Sequence, residues 1–360
     1  MTTSSALMPL DPSRVRTPAG AFMRGQSSLD VQRIAVVIPC YRVAERILGV
    51  VSRIGPECWR IYVVDDACPE RSGARVEAEC RDPRVRVLRL ASNQGVGGAV
   101  MEGCRHAIAD GATLVVKIDG DGQMPPELLP RFVAPILRGQ ADYTKGNRFY
   151  DLAQLHRMPA ARLAGNALLS LLTKLSGGYW DVFDPTNGYT AIHVEVLKLL
   201  PMDKISRRYF FETDVLFRLN TVRAVVVDVP MDAVYEGESS SLSIARVLPE
   251  FLAKHARSFA KRIFYNYFLR DVSIASLELL FGIPLMLFGV IYGAYHWWHS
   301  SAMNIPTPAG TVVLAAAALL VGFQLVLSFL NYDIANVPRR PIHESLAMDP
   351  APEAGELPLW

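Results

Sequence analysis

The segment "TLVVKIDGDGQMPPE", residues 113–127, joins an apolar run to two aspartates and a pair of prolines. The apolar run has the length and β-branched composition of a buried strand. Its glycines permit unusual backbone angles, and its prolines favour the start of a helix. The segment therefore places two carboxylates, Asp119 and Asp121, at the point where a strand ends.

The aspartate pair has two interpretations. Aspartate and glycine are ordinary turn formers, so a simple turn satisfies the spacing. Alternatively, the two carboxylates bind a metal ion. Hard oxygen ligands with few other protein donors suit Mg²⁺ or Mn²⁺ shared with substrate phosphates. A pair that neutralises a diphosphate leaving group would predict a nucleotide-linked substrate.

Similar apolar runs recur along residues 31–240 and alternate with amphipathic stretches. The runs read "RIAVVIP", "RIYVVDD", "VRVLRL" and "TLVVKID", and the stretches between them include "GVGGAVMEGCRHAIADG". Repeated β-α-β units with continuously apolar strands predict an α/β domain whose mainly parallel sheet is covered on both faces. Ligands of such sheets bind beyond the carboxyl ends of the strands.

Composition excludes several classes of function. The net charge of +2 does not imply electrostatic capture of nucleic acid. Seven histidines without an HxxxH pair argue against a histidine-built zinc site. The five cysteines lack CxxC spacing and all lie in the first 104 residues, which is typical of reduced thiols in a cytosolic domain. Residues 1–30 lack a continuous apolar core and are expected to form a flexible tail rather than a signal peptide.

The last third of the chain predicts a membrane segment. Residues 241–271 mix basic side chains with Leu, Phe and Tyr, which suits interfacial amphipathic helices, although a helix packed on the first domain has the same pattern. Within 272–335, two apolar runs at 272–295 and 309–331 each have about the 20 residues that cross a bilayer. Two transmembrane helices are therefore expected.

The distribution of charge predicts the orientation of these spans. Basic residues precede the first span and return as Arg339 and Arg340, whereas the connecting loop has none. The positive-inside rule then places both termini, including a tail at 336–360, on the cytoplasmic side of the inner (plasma) membrane. Gly282 and Gly289 in the first span permit close helix packing, so a homo-oligomer is one possibility.

Two further strand-end motifs are ambiguous by themselves. Asp65 and Asp66 follow "RIYVV" and suit hydrogen bonds from a base or ribose, but they equally suit a cap for the helix that follows. The stretch "ASNQGVGGAV", residues 91–100, resembles a phosphate-binding glycine loop. It lacks the Lys-Ser/Thr of a P-loop and the spacing of the dinucleotide fingerprint.

Taken together, "VVIPCY", "VVDD", "NQGVGGAV" and "DGDGQMPPE" resemble the donor-site motifs of the family 2 glycosyltransferases with a GT-A fold, in the same order and spacing. With the membrane segment, the chain looks like the polyprenyl-phosphate members related to dolichol-phosphate mannose synthase. The resemblance covers residues 31–240 by motif and 241–335 by architecture. It implies a GT-A (Rossmann-like) domain followed by interfacial helices and two transmembrane helices.

The resemblance also implies roles for individual residues. Nucleotide contacts fall on Pro39, Tyr41, Asp65, Asp66, Gly95 and Asp119, and the metal and diphosphate motif on Asp119 and Asp121 with Gln123 beside them. Contacts to an acceptor phosphate fall on Arg148 in "KGNRF" and on Arg162 and Asn166 in the next helix. The segment "DPTNGYTAI", residues 184–192, resembles the lining of the sugar pocket. Residues 39–43 read "PCYRV" where the family has Pro-x-Tyr-Asn-Glu, so the donor is either UDP- or GDP-linked.

The implied reaction is an inverting transfer with Mg²⁺ or Mn²⁺ and with Asp121, Arg148 and Asp214 as catalytic residues. A lipid monophosphate acceptor is already an anion and needs positioning by Arg148 and Arg162 more than it needs a base. A hydroxyl of a lipid-linked saccharide would need a general base, for which Asp214 in "ETD" is the candidate. A catalytically silent membrane scaffold is the third reading. The expected partners are a nucleotide-sugar, a polyprenyl phosphate and the membrane, without nucleic acid.

Overall fold

The computed structural model describes residues 32–150, 160–232 and 244–348. The strands are β1 Ile34–Cys40, β2 Cys58–Asp65, β3 Val85–Arg89, β4 Leu114–Lys117, β5 Tyr143–Asn147, β6 Thr190–His193 and β7 Val226–Pro230. The helices are α1 Ile47–Ser52, α2 Ser72–Glu79, α3 Val96–Ala109, α4 Leu129–Leu137, α5 Ala160–Gly177, α6 Val194–Lys198, α7 Phe211–Thr221, α8 Ile244–Phe264, α9 Ile274–Met303, α10 Ala309–Ala335 and α11 His343–Met348. A π-helical turn, Tyr265–Arg270, joins α8 to the segment before α9.

The strands form one seven-stranded sheet in the order β3-β2-β1-β4-β6-β5-β7. Strand β1 pairs in parallel with β2 and β4, and β5 pairs in parallel with β7. Strand β6 is the exception, because it runs antiparallel to both β4 and β5. The predicted α/β domain with a mainly parallel sheet is therefore confirmed. This order brings the ends of β1, β2 and β4, with their polar residues, to the same edge.

Both faces of the sheet are buried, which explains why the strands are apolar throughout. Val37, Val64 and Val115 point into one core, which α3 and α7 cover. Their neighbours in sequence point into the other core, which α1 and α4 cover. Because side chains alternate along a strand, covering both faces requires apolar residues at successive positions. The five cysteines are unpaired thiols.

Helices α9 and α10 are both long and apolar enough to cross a membrane, with 22% and 17% of their most apolar windows buried. They pack as a close antiparallel pair. A Cβ atom at Gly289 would lie 2.6 Å from the Leu319 nitrogen, so a larger residue would separate the helices. Glu278 accepts a hydrogen bond of 2.6 Å from Ser328 across the pair. Gly282 and Gly289, which were predicted to permit close helix packing, therefore contact α10 of the same chain.

Helix α9 is longer than the predicted first span. The sequence predicts a loop that begins at His296, but the helix continues to Met303 and includes the exposed Trp297 and Trp298. No proline or glycine interrupts residues 296–303, and the helix ends only at Asn304, whose φ is +52°. The predicted boundary is wrong because polar residues alone do not stop a helix; a left-handed residue followed by Pro306 does.

Helix α8 lies against the α/β domain along one face. His255 bonds to Ser176 at 2.8 Å, and Arg262 donates two hydrogen bonds to the Leu175 carbonyl. Arg262 also forms a two-point ion pair with Asp333 near the end of α10, and both side chains are almost fully buried. The α/β domain, α8 and α10 therefore meet at Arg262. The interpretation of α8 as a helix packed on the first domain holds for this face.

The chain after α10 returns to the α/β domain. Asp142, at the start of β5, accepts hydrogen bonds from the backbone of Ile342 and His343 and pairs with the His343 ring at 2.7 Å. The His343 ring also stacks on His193 at 4.5 Å. Residues 336–348 therefore form a strap on the domain, so the end of α10 and the domain lie on the same side of the helix pair.

Candidate active site

The aspartate motif after β4 forms a tight turn and presents one carboxylate beyond it. Asp121 Oδ1 accepts the backbone N–H of Gln123 at 3.0 Å, and Gly122 has a φ of +81°. The Asp119 side chain keeps 28% of its surface exposed at the sheet edge. The turn and the acidic site are therefore compatible, because Asp121 Oδ1 shapes the turn that holds both side chains.

A buried lysine lies beneath Asp119. The Lys117 ammonium is 2.9 Å from Asp119 Oδ1 and 3.4 Å from Glu212 Oε1, and it donates to the Gly188 carbonyl at 3.1 Å. Burial acts to lower the pKa of Lys117, but Asp119 and Glu212 together raise it above its ordinary value. Lys117 is therefore a permanent cation that joins the end of β4, the segment 184–192 and the first turn of α7.

The segment 184–192 closes over this cation. A Cβ atom at Gly188 would lie 2.6 Å from Asp119 Oδ2 and would collide with the Lys117 ammonium. The next residue, Tyr189, stacks on Phe132 at 3.8 Å and is fully buried. A larger residue at position 188 would require the Lys117 ammonium and the Asp119 carboxylate to move apart from the segment. The segment predicted to line the sugar pocket thus contacts the carboxylate predicted to bind the metal.

Arg148 is held at the end of β5 by a buried carboxylate. Its Nε and Nη2 atoms lie 2.7 and 3.0 Å from the two oxygens of Asp184, and its backbone N–H also donates to Asp184. Asp184 is fully buried, whereas 28% of the Arg148 side chain is exposed. This two-point pairing orients the guanidinium while leaving part of it at the surface.

Two more ionisable groups lie behind this pair. Burial lowers the pKa of Lys145 to about 8, although Glu212, Asp184 and Asp228 act in the opposite direction. Burial raises the pKa of Asp228 to about 6, and its carboxylate accepts hydrogen bonds from Asn147 and from the Phe183 backbone. The site is thus a network of alternating charges around β4, β5 and α7. Perturbed groups of this kind concentrate at functional sites.

The carboxylates of Asp65 and Asp66 bind backbone N–H groups. Asp65 accepts from Cys68 at 2.7 Å and from Gly73 at 2.8 Å, which caps the loop into α2. Asp66 accepts from Gln94 at 2.6 Å and from Gly95 at 2.8 Å. The cap that the sequence left as an alternative is therefore formed by Asp65, whereas Asp66 binds the segment before α3. A nucleotide contact by either carboxylate would use its remaining lone pairs.

The glycine loop is packed against protein rather than open. Gly95 has a φ of +82°, and a Cβ atom there would lie 2.5 Å from the Arg207 carbonyl. That carbonyl accepts the backbone N–H of Gly97 at 2.9 Å, at the start of α3. The backbone N–H groups of the loop therefore donate to the Asp66 carboxylate and to the Arg207 carbonyl. Gly95 and Gly97 have no side chain, which allows residues 206–208 to pack directly on the loop.

The two carboxylates of "ETD" lie on different faces of α7. Glu212 pairs with Lys117 and thereby reaches the Asp119 cluster. Asp214 accepts the Ser206 backbone N–H at 2.7 Å and lies 3.3 Å from Arg218 Nε. Residues 212 and 214 differ by about 200° around a helix, so only one can face the site. Glu212 faces the cluster of Lys117 and Asp119, whereas Asp214 forms a separate ion pair with Arg218.

The other residues predicted for the site, where described, are half-buried or exposed. Tyr41 is 43% exposed beside Pro39 and lies beneath the guanidinium of Arg42. Gln123 is half-buried in the aspartate turn, and Asn166 is half-buried on α5. The side chain of Arg162 falls outside the described residues. Arg46, which the sequence did not single out, donates to the Asp121 carbonyl at 3.4 Å.

The oxygen atoms of the aspartate motif after β4 are candidate ligands for a divalent cation. Within residues 32–150, 160–232 and 244–348, no group of three or more His, Cys, Asp or Glu side chains is arranged to bind a metal. Asp119 and Asp121 supply oxygen ligands, with the Gln123 amide nearby. Mg²⁺ is commonly held by one or two carboxylates together with substrate phosphates. The residues fit a metal shared with a diphosphate and do not fit a metal held by protein alone.

Sequence reasoning missed Lys117 and the role of Gly188, although a signal was present for each. Lys117 is the one charged residue inside the apolar run "TLVVKI", and a lysine in a strand buried on both faces requires acidic partners. Its partner Glu212 lies 95 residues away, and no local pattern links the two. Gly188 carries no signal without the neighbouring chain.

Residues 35–200 match the family described as Glycosyl transferase family 2. An undecaprenyl-phosphate mannosyltransferase of Micrococcus luteus is 31% identical over 204 residues, which are 55% of this chain and 82% of that protein. A polyprenol monophosphomannose synthase of Mycolicibacterium smegmatis is 31% identical over 56% of this chain and 77% of its own length.

A third relative, whose name contains a different sugar, is a UDP-N-acetylglucosamine–dolichyl-phosphate N-acetylglucosaminyltransferase of Methanococcus voltae. It is 27% identical over 56% of this chain and 86% of its own length. Among solved structures, mannosyl-3-phosphoglycerate synthase of Rubrobacter xylanophilus superposes with a TM-score of 0.49 at 18% identity, covering 67% of this chain and 77% of that one.

Proposed function

The chain belongs to glycosyltransferase family 2, and on this premise we propose that it transfers a sugar from a nucleotide-sugar to a polyprenyl phosphate. That the protein is a glycosyltransferase follows from the family and from relatives 31% identical over most of their length. The acceptor is the proposed part. It is supported by the names of those relatives and by the two long apolar helices that follow the α/β domain.

The donor half of the proposal rests on Asp119 and Asp121. A divalent ion bound there would supply positive charge to the leaving diphosphate. The buried Lys117 ammonium pairs with Asp119, and Gly188 allows the segment 184–192, predicted to line the sugar pocket, to contact the same carboxylate. These contacts orient the carboxylate before any substrate arrives, which is the condition for efficient electrostatic stabilisation. The proposed transfer inverts the anomeric centre, because the acceptor attacks opposite the leaving diphosphate.

The acceptor half rests on the ion pairs of α7 and β5. A hydroxyl acceptor needs a general base, yet Asp214 is bound to Ser206 and Arg218, and Glu212 is bound to Lys117. A phosphate monoester acceptor is an anion near neutral pH and needs no base. Arg148, oriented by Asp184 and partly exposed, is a suitable group to position its oxygen. The ion pairing of both α7 carboxylates is the observation that favours a phosphate acceptor.

The proposal is tested with purified full-length protein in neutral detergent, Mg²⁺ or Mn²⁺, a panel of UDP- and GDP-sugars, and undecaprenyl phosphate. We expect transfer from at least one donor, dependent on the metal. The relatives carry different sugars in their names, so the panel must include mannose and N-acetylglucosamine. Absence of transfer from every donor, with a protein that melts cooperatively, would refute the proposed reaction.

The variant Asp214→Asn separates the two acceptors. With a phosphate acceptor, we expect turnover to stay within about threefold of wild type after correction for folded protein. Loss of a general base lowers turnover by about 10²–10⁴-fold. A loss of that size at an unchanged melting temperature would favour a saccharide hydroxyl as the acceptor.

Arg148→Lys should raise KM for undecaprenyl phosphate by about 10- to 100-fold, since a charged two-point hydrogen bond contributes roughly 1.5–3 kcal/mol.

We further propose that the α/β domain faces the cytoplasm. The strap formed by residues 336–348 supports a common side for the domain and the end of α10. The basic residues on that side support the cytoplasmic face. Labelling of single cysteines with a membrane-impermeant maleimide tests this orientation. Ser301→Cys in the exposed last turn of α9 should react only from outside the cell, and Lys198→Cys in α6 only in inverted vesicles.

A further inference from the structure

A cavity of about 1000 Å³ lies between α7 and α8, separate from the aspartate cluster. On α7 it is lined by Asp214, Phe217, Arg218 and Thr221, which recur at helical spacing on one face. Glu212, which reaches the Lys117 cluster, lies on the opposite face of the same helix. The cavity therefore opens away from the catalytic cluster, and the proposed transfer does not use it.

The charged lining of this cavity is strongly unbalanced. Six basic residues contribute to it, namely Lys204, Arg218, Lys254, Arg257, Lys261 and Arg270, against the single carboxylate Asp214. Asp214 pairs with Arg218, and Lys254 pairs with Glu250 on α8. Within the described residues, neither Arg257 nor Lys261 has an acidic side chain within ion-pair distance. Burial, followed by repulsion from Arg257 and Arg218, lowers the pKa of Lys261.

An anion would relieve this crowding of positive charge. Arg257 and Lys261 lie one turn apart on α8, and both are exposed at the rim. The α8 residues that face the domain, including His255 and Arg262, are buried and already paired. The same helix therefore has one face that holds the domain and a neighbouring face whose basic side chains line a cavity.

The apolar part of the lining indicates an amphiphile rather than a simple salt ion. Leu199, Pro201, Phe217 and Leu269 contribute apolar surface to the same lining, and together they are called the apolar floor here. The cavity extends to Arg270, four residues before α9 begins. A lipid in the leaflet next to α9 has its headgroup at that level. A headgroup on the basic rim with its acyl chain against the apolar floor satisfies both parts of the lining.

We propose that the cavity between α7 and α8 is a binding site for an anionic phospholipid, distinct from the site of the sugar acceptor. The bound lipid is a ligand and does not react. Its phosphate lies among Arg257, Lys261 and Arg218, and its chain lies on the apolar floor. Since α7 also carries Glu212, occupancy of the cavity stabilises the helix that reaches the catalytic cluster.

The test uses delipidated full-length protein in neutral detergent. Phosphatidylglycerol is titrated while the melting temperature is followed, with phosphatidylcholine and inorganic phosphate as parallel arms. We expect phosphatidylglycerol to raise the melting temperature in a saturable manner, and the other two to have no effect at the same concentration. Equal stabilisation by phosphatidylcholine would overturn the charge recognition, and equal stabilisation by inorganic phosphate would overturn the lipid.

The variant Arg257→Gln/Lys261→Gln removes two charges from the rim. The midpoint of the phosphatidylglycerol titration should rise by about 10- to 30-fold, as expected when two basic side chains near an anionic lipid are lost. Arg131→Gln in α4 together with Arg138→Gln directly after it removes the same charge from another exposed surface and should leave the midpoint unchanged. Arg257→Lys/Lys261→Arg keeps the charge and should bind as wild type does. An unchanged midpoint in the first variant would overturn the proposal.

Transferase kinetics distinguish this site from the proposed reaction. In micelles without phosphatidylglycerol, the rim variant should keep KM for undecaprenyl phosphate within about twofold of wild type. A tenfold rise in that KM would mean that the cavity holds the acceptor itself, and would overturn a separate lipid site. A wild-type protein that binds phosphatidylglycerol but transfers no sugar would refute the proposed reaction and leave the lipid site standing.

Discussion

Replacement of Lys117 by methionine tests the central contact of the candidate site. Methionine fills a similar volume and cannot pair with carboxylates, so the change removes the ammonium while keeping the packing. At an effective dielectric constant of about 20, unit charges 2.9 and 3.4 Å apart attract by roughly 6 and 5 kcal/mol. Most of this attraction offsets the desolvation of a lysine that is only 3% exposed.

The net effect of Lys117→Met follows from what remains behind. Breaking a buried ion pair from one side costs about 3–5 kcal/mol. Here the abandoned carboxylates of Asp119 and Glu212 keep 28% and 15% of their surface exposed, so water solvates them in part. We therefore expect a loss of about 2–3 kcal/mol in the free energy of unfolding. Transfer should fall by about 100-fold, because Asp119 is no longer held from below.

The assay is a double-mutant cycle with Glu212→Gln. Melting of the wild type, both single variants and the double variant is compared in neutral detergent. If Lys117 neutralises Glu212, the double variant should be more stable than the sum of the single losses predicts, by at least about 1 kcal/mol. Additive losses would refute the ion-pair reasoning, as would a Lys117→Met protein with wild-type stability and activity.

Three further predictions concern the parts that support the site. Asp333→Asn should lower the free energy of unfolding by about 3–5 kcal/mol, because it leaves the buried Arg262 without its ion pair, and the intrinsic fluorescence of Trp180 should change. Gly289→Ala should lower the melting temperature through a loss of about 1–3 kcal/mol, because its methyl group meets the α10 backbone. Burial lowers the pKa of His255 to about 4, so the unfolded chain binds a proton at a higher pH than the folded protein does. As the pH falls from about 6.5 to about 4, the free energy of unfolding should therefore decrease by up to about 3 kcal/mol. The decrease should be smaller in His255→Gln.

Each of these predictions has a matched control. Asp271→Asn changes an exposed carboxylate next to α9 and should leave stability within about 0.5 kcal/mol. Gly310→Ala lies on α10 with open space around it, so it should be neutral or stabilising. His106→Gln on the exposed face of α3 should keep the full acid sensitivity of the wild type. Equal behaviour of a variant and its control would contradict the corresponding contact.

The fold and the family were predictable from local patterns. Strands buried on both faces must be apolar at successive positions, so "RIAVVIP" and "TLVVKID" predict the centre of the sheet without further information. The two long apolar helices were predictable, because each apolar run has about the 20 residues of a helix that can cross a bilayer. The end of α9 was misplaced by about two turns, since His, Ser and Trp do not stop a helix without a left-handed residue or a proline.

The residue types at the sheet edge were readable from the sequence, because the carboxyl ends of the strands follow from the alternation of strands and helices. Which of these residues touch depends on the tertiary packing. Lys117 and Glu212 meet across 95 residues, the Gly95 loop packs on Arg207, and Asp214 turns away from the site that Glu212 reaches. A buried charge is stable only beside its counter-charge, and a close backbone approach requires a second segment of chain. These partners are distant in sequence, so they become neighbours only when α7 packs on the sheet.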